Sequence, residues 1–144
     1  MTISEAARAK VPGSALWQSN KATGVLAIAA EVLAGRLAGS PLDAISHWQR
    51  AVALQDALEY DEPPGWYYPV RESLGAALLR AGKLSEAESV FREGLRKGPR
   101  NGRMLFGLPE CLKAQEKAQA VEWVAKEFEA AWQRVDMSIR IEDL

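Results

Sequence analysis

Apolar residues recur along this chain at helical spacing, and glycine and proline mark the gaps between the recurrences. The first run predicts a helix over Lys21–Ala38, with Asn20 as its cap and Gly39 as a left-handed terminus. The next opens on Ser40 as N-cap, Pro41 at the first helical position and Asp43 in the first turn. Its apolar positions, Leu42, Ile45, Trp48, Val52 and Leu58, keep close to a 3.6-residue period. Pro63-Pro64-Gly65 cannot continue a helix, which sets its end near Tyr60. A central pair follows. Pro69–Ala81 is stopped by Gly82, and Ser85-Glu86-Ala87-Glu88 has the form of a capping box for a helix ending at Lys97 before Gly98-Pro99. A last pair is predicted over Arg103–Gln115, with Asn101 as N-cap, and Lys117–Val135, striped by Val121, Val124, Phe128, Trp132 and Val135. Pro109 falls inside the first of these. An interior proline costs about 3 kcal/mol, so a kink or a late start is expected there. The fold class is all-α.

Residues 68–101 carry a finer pattern. Counting from Tyr68 as position one, Leu74 and Gly75 stand at seven and eight, Leu78 at eleven and Gly82 at fifteen. Ala87 stands at twenty, Phe91 at twenty-four, Leu95 at twenty-eight and Pro99 at thirty-two. This spacing resembles the tetratricopeptide repeat, a helix–turn–helix unit of about 34 residues. Flanking copies are weaker. Ala44, Trp48 and Ala51 match in a first unit starting near Val25, and Leu105, Leu108 and Leu112 match in a third. Glu116 replaces the turn glycine of that third unit, and Pro109 replaces a small residue. The resemblance implies one domain over residues 1–144, a right-handed α-α superhelix of about three pairs at 21–60, 68–101 and 102–135. Residues 1–20 form a capping segment and 136–144 a tail. Leu16 and Trp17 are expected to close one end of the core, and Trp123 and Trp132 the other. The tail alternates Ile139, Ile141 and Leu144 with charged residues, and is either frayed or packed on a neighbour.

A wider resemblance covers about Glu31 to Asp136. It rests on Ala51-Val52-Ala53-Leu54-Gln55-Asp56-Ala57-Leu58, on Tyr60-Asp61-Glu62-Pro63-Pro64 with Trp66, Tyr68-Pro69 and Arg71, and on Leu74-Gly75-Ala76-Ala77-Leu78-Leu79. Glu86-Ala87-Glu88, Asn101-Gly102 and Leu105-Phe106-Gly107-Leu108 extend it. These strings are similar to the C-terminal region of larger bacterial tetratricopeptide proteins. Those proteins carry further, histidine-rich repeats before this region, and the chain has the look of a stand-alone or truncated module. The family implies a helical-repeat fold and no settled activity.

Composition narrows the chemistry. A net charge of −1 gives no global field toward nucleic acid or anionic membrane. Cys111 and His47 are each the sole residue of their type, so neither a disulfide nor a cysteine-based zinc site is expected, and no other metal or cofactor. Neither stands beside a partnered nucleophile or base in the sequence. The start of the chain lacks the basic and apolar blocks of a signal peptide, and Val25–Ala34 is interrupted by Glu31, so a cytoplasmic protein is expected.

The least generic segment is the Tyr60–Pro69 loop, which gathers Tyr60, Trp66, Tyr67 and Tyr68 with Asp61 and Glu62. Its rings either brace the helix pairs or form an aromatic wall for a peptide or small ligand. Arg71 stands at repeat position four, normally a large apolar residue, and needs an anionic partner. Asp61, Glu62 and Glu72 are nearest in sequence; a ligand carboxylate is the alternative. The basic run Arg96, Lys97, Arg100 and Arg103 reads as a solvated helix end. In the resembled family the first helix of each pair lines a concave groove, which here brings forward Arg36, Glu72, Leu79, Arg80, Arg103, Phe106, Glu110 and Lys113. The expected function is a non-enzymatic module that binds a protein or peptide through this groove or through Glu62, Trp66, Tyr67 and Arg71. The alternatives are a homodimer, and a small-ligand site around Glu62, Tyr67, Arg71 and Arg103.

Overall fold

The computed structural model describes residues 3–144, and its regular structure is helical apart from one short strand pair. Residues 1 and 2 of the expected capping segment lie outside the described part. The chain divides into two compact units, one up to Val70 and one from Arg71 onward.

In the first unit α1 (Ile3–Arg8) precedes β1 (Leu16–Trp17) and β2 (Asn20–Lys21), which pair antiparallel around a left-handed Gln18. Helices α2 (Ala22–Leu37) and α3 (Pro41–Asp56) then pack as a hairpin. Helix α3 starts as its sequence requires: the Ser40 side chain accepts from the Asp43 N–H at 3.2 Å. It ends at Asp56 rather than near Tyr60, leaving Leu58 outside. Helix α2 departs from expectation at both ends. Lys21, not Asn20, is its N-cap and offers no side-chain cap bond; Ala38 closes it in an extended conformation, so Gly39 is not used as a left-handed terminus. The core joins Ile28 and Val32 of α2 to Ala44, Ile45, Trp48 and Ala51 of α3. Only glycine fits at position 35, because a Cβ there would stand 2.7 Å from the Trp48 ring. Leu16 and Trp17 are 68% and 57% exposed and do not close this core. In the strand pair these successive side chains point to opposite faces, and both are left open.

The second unit is two helix hairpins, α4 (Arg71–Arg80) with α5 (Leu84–Lys97), and α6 (Gly102–Ala114) with α7 (Ala118–Trp132). Both turns close in one way. In the first, Lys83 N–H donates to the Leu78 carbonyl and Gly82 N–H to that of Leu79. In the second, Lys117 N–H donates to Leu112 and Glu116 N–H to Lys113. Each is the paired bond set of a Schellman terminus, which needs a left-handed residue. Gly82 supplies it at φ 74°, and Glu116 adopts it at φ 58° despite its Cβ. This turn also moves the start of α5. Lys83 becomes the N-cap, so Ser85 lies inside the helix and the expected Ser85–Glu88 capping box does not form.

Phe91 of α5 is fully buried between α4 and α6. Its ring occupies the space that a Cβ at Gly75 or at Gly107 would need. Helix α6 begins at Gly102, capped by Asn101 accepting from Met104 N–H, and runs through Pro109 to Ala114, so no late start occurs. The stripe of α7 faces α6 through Phe128, whose ring lies 5.7 Å from Phe106 and 5.5 Å from Trp132. Trp123, by contrast, is 76% exposed and closes nothing, because it lies off that stripe.

Glu88 takes two long-range partners, Lys117 and Gln115, and the local Arg92 instead of the cap. Its carboxylate accepts from Lys117 at 2.6 Å, Arg92 at 2.8 Å and Gln115 at 2.9 Å, tying α5 to the α6–α7 turn. Lys117 foremost, helped by Arg92 and Gln115 against the opposing effect of burial, brings its pKa down from an ordinary 4.5 to about 2. The folded state thus binds this proton more weakly than the unfolded chain. The stabilisation is complete above pH ~4.5 and is lost as pH falls toward ~2. Its partners are half-exposed, so we expect about 1–2 kcal/mol. Urea unfolding at pH 6 and pH 3 should show that loss, and Glu88→Gln should flatten the profile; an unchanged profile would refute the linkage.

Candidate functional site

Two regions collect the residues that the sequence singled out. The first is the loop after α3. It is tied down at both ends by side-chain amides. Asn20, 5% exposed, accepts from Glu59 N–H at 2.8 Å and donates to the Glu59 carbonyl at 3.1 Å and to Asp61 Oδ2 at 2.6 Å. The Asp61 carboxylate also accepts from Ser19 N–H, and hydrogen bonds from the Ser19 hydroxyl and Asn20 hold its pKa below the usual value. At the other end Gln55 of α3 donates to the Tyr68 carbonyl and accepts from Val70 N–H, both at 2.8 Å. An amide suits this role because it meets a backbone N–H and a C=O together. Asn20 is the stronger tie. Asn20→Ala should leave the Glu59 amide and Asp61 without their partner and cost about 1–3 kcal/mol. Proteolysis at residues 57–62 would report the loosened loop; unchanged resistance and stability would contradict the assignment.

Between these ties Trp66, Tyr67 and Tyr68 form one ring cluster, with centroids 5.2 Å apart for Trp66–Tyr67 and 4.8 Å for Tyr67–Tyr68. Trp66 and Tyr68 are half-buried, whereas Tyr60 and Tyr67 are 81% and 76% exposed. The cluster therefore has a bracing side and an open side. The indole N–H of Trp66 is buried without an acceptor among the described residues. Glu62 is exposed and pairs with the Tyr60 hydroxyl, which raises the Tyr60 pKa.

The second region is the face of α4 and α6. Glu72 is 2% exposed, and its carboxylate accepts from Arg103 Nε at 2.6 Å and from Asn101 Nδ2 at 2.9 Å. Arg103 also donates to the main-chain oxygen of Asp143. Glu72 is thus satisfied by α6 and its cap, and the two residues expected in the groove hold each other. Arg71 is half-buried, and its Cβ lies 3.6 Å from where a Cβ at Gly94 would stand, so its stem packs toward α5. Arg80 is exposed, Leu79 is half-buried, and Glu110 pairs with Lys113 at 2.6 Å along the open side of α6. Phe106 turns toward Phe128 of α7. Arg36 is exposed on α2 of the first unit. The four residues of the small-ligand alternative divide, with Glu62 and Tyr67 in the first unit and Arg71 and Arg103 in the second.

The tail is packed, not frayed. Leu144 is 7% exposed, and the hydroxyl of the buried Ser73 donates to its main-chain oxygen at 2.7 Å. The sequence showed the alternation of Ile139, Ile141 and Leu144 but gave no sign that α4 and α6 receive it.

His47 and Cys111, each the sole residue of its type, are both engaged in contacts with neighbouring residues. His47 Nδ1 lies 2.8 Å from Glu31 Oε2 and 2.7 Å from Arg50 Nη2, in a cluster that bridges α2 and α3. Burial pushes the Glu31 pKa up, but hydrogen bonds from Arg50 and His47 outweigh it and hold the carboxyl below its ordinary value. Cys111 is fully buried, its thiol donates to the Leu84 carbonyl, and burial raises its pKa, which disfavours the thiolate. No helix among the described residues is long and apolar enough to cross a membrane.

No family model and no solved structure matches this chain. A protein of Aquifex aeolicus (strain VF5), described as an uncharacterized protein, is 40% identical over 55 residues, or 38% of this chain. That match spans 7% of the Aquifex protein's own length.

Proposed function

We propose that the chain is a non-enzymatic, tetratricopeptide-like module that binds a polypeptide on the α4–α6 face. The observation that carries this reading is the recurrence of one Schellman turn, Leu78–Lys83 and Leu112–Lys117, at a spacing of 34 residues. Equal turns at that spacing support stacked helix pairs, whose first helices then share one face. That face carries Arg80 and Lys113 in the open beside the half-buried Glu110, a mixed-charge surface suited to a polypeptide of both signs. The exposed Tyr67 side of the loop is a second contact surface. The test is capture of partners from a native lysate by wild type and by an Arg80→Glu/Lys113→Glu variant. Both substituted side chains are exposed, so the fold should survive. Recovery of the same proteins in equal amounts would sink the reading. Arg103→Glu is unsuitable, because it would set a second carboxylate against buried Glu72.

Self-association is the second reading, favoured by one observation in the first unit. Helix α2 is apolar nearly all round, and Leu33, Leu37 and Leu42 are 48%, 76% and 63% exposed. Light scattering at high concentration decides it, since a single-copy mass would dismiss the homodimer.

A further inference from the structure

The way residues 140–144 sit on α4 and α6 has the features of ligand recognition. Two side chains reach main-chain oxygens of the segment: Ser73 of α4 donates to that of Leu144, and Arg103 of α6 to that of Asp143. Both donors are preset. Ser73 is 5% exposed, and Arg103 is oriented by the buried carboxylate of Glu72. Main-chain contacts of this kind hold a segment in place whatever its side chains. Selectivity then falls to Leu144. Its Cδ1 lies 3.1 Å from where a Cβ at Gly107 would stand, on a glycine that also borders the ring of Phe91. The missing side chain at 107 is what leaves room for a leucine. The segment is preorganised as well. Arg140 and Asp143 close a 3-10 turn over Ile141–Asp143, with the Asp143 carboxylate accepting from Arg140 N–H at 2.9 Å and from its guanidinium at 3.1 Å.

We propose that the Ser73–Arg103–Gly107 seat is a binding site for a short turn that sets a leucine against Gly107, and that residues 140–144 are its intramolecular occupant. A partner segment of that chemistry docks only when the tail leaves. The inference rests on the polypeptide-binding reading above and adds to it the occupant and the form of control. A tethered ligand acts at an effective concentration on the order of millimolar. If the tail is docked about 99% of the time, a free segment binds with an apparent Kd roughly 100-fold weaker than its intrinsic value.

The probe is an acetylated, fluorescently labelled peptide of the sequence Ser138–Leu144, titrated against the full chain by anisotropy. Leu144→Asp in the chain should expel the tail and tighten binding of the unchanged peptide by at least about tenfold, as the tethered competitor is lost. Adding Ser73→Ala should weaken that binding about fivefold, the loss of one hydrogen bond. A peptide with aspartate in place of its leucine should not bind. If Leu144→Asp does not fold, as judged by circular dichroism, Leu144→Ala is read on the same criteria. A folded variant that binds the peptide no better than wild type overturns the inference. The lysate comparison stays independent, because Arg80 and Lys113 do not touch the tail in any contact described above. Partners lost on Arg80→Glu/Lys113→Glu with no gain on Leu144→Asp would leave the module reading standing and this one refuted.

Discussion

Replacing Phe91 with alanine will cost about 3–5 kcal/mol, the range for a buried phenylalanine. The upper end is expected here. Large-to-small substitutions are cheapest where neighbours can collapse into the space. Phe91 is flanked by Gly75 and Gly107, which have no side chains to move, on helices tied to α5 by other contacts. The cavity would therefore stay open between three helices. Urea unfolding of the full chain measures the effect, and a loss under 1 kcal/mol would mean that α4, α5 and α6 do not pack as one unit. The converse change, Gly107→Val, puts atoms where the ring already lies and should also destabilise, by about 1–3 kcal/mol or more. Phe91→Leu should recover part of the loss, since it refills some of the volume.

Arg103→Ala is the second large effect, at about 3 kcal/mol. Little of this is the worth of the ion pair itself. The Arg103 side chain is 37% exposed, so its attraction to Glu72 is screened. The cost comes from stranding a carboxylate whose own side chain is 3% exposed, with only Asn101 left to donate to it. Two controls separate these contributions. Glu72→Gln in the Arg103→Ala background should restore most of the stability, because the stranded charge is gone. Replacing the pair with Glu72→Leu and Arg103→Met should be close to neutral, as apolar substitutes for buried pairs often are. If Arg103→Ala alone proves neutral, Glu72 is better hydrated than its burial indicates.

The helices were legible because each carries its own period and punctuation. Ser40, Gly82 and Gly98-Pro99 act within four residues of where they stand, as does Asn101 in its role as N-cap, so these roles could be read locally. The errors arose where a local and a distant partner competed for one side chain. Asn20 has the chemistry of a helix cap but spends its amide on Glu59 and Asp61, some forty residues away. Glu88 has the spacing of a capping box but is claimed by Lys117 and Gln115. No sequence window of one helix contains those partners. Trp17 and Trp123 failed for a different reason: size suggests burial, but face decides it, and both point outward. In the candidate site, Glu72 and Arg103 were singled out as groove residues, yet their mutual pairing depends on how α6 lies against α4. The Leu144 seat was hidden for the same reason, since Gly107 reads as a generic small residue until Phe91 and Leu144 are seen on either side of it.

Helix α7 is the one long helix of the second unit with no fully buried residue. It rests on α6 through Phe128 and runs between a turn that uses glutamate in a left-handed conformation and a tail held by Leu144. Such an element belongs to the low end of local stability. Its amides should exchange with solvent through a sub-global opening well before those of α4 and α5, whose opening must expose Phe91. Release of Leu144 frees the tail while the contact of Phe128 with Phe106 stays in place, so peptide docking at the seat and exchange at the C-terminal end of α7 should rise together. The second unit would then work as a packed set of helices that carries one releasable tail.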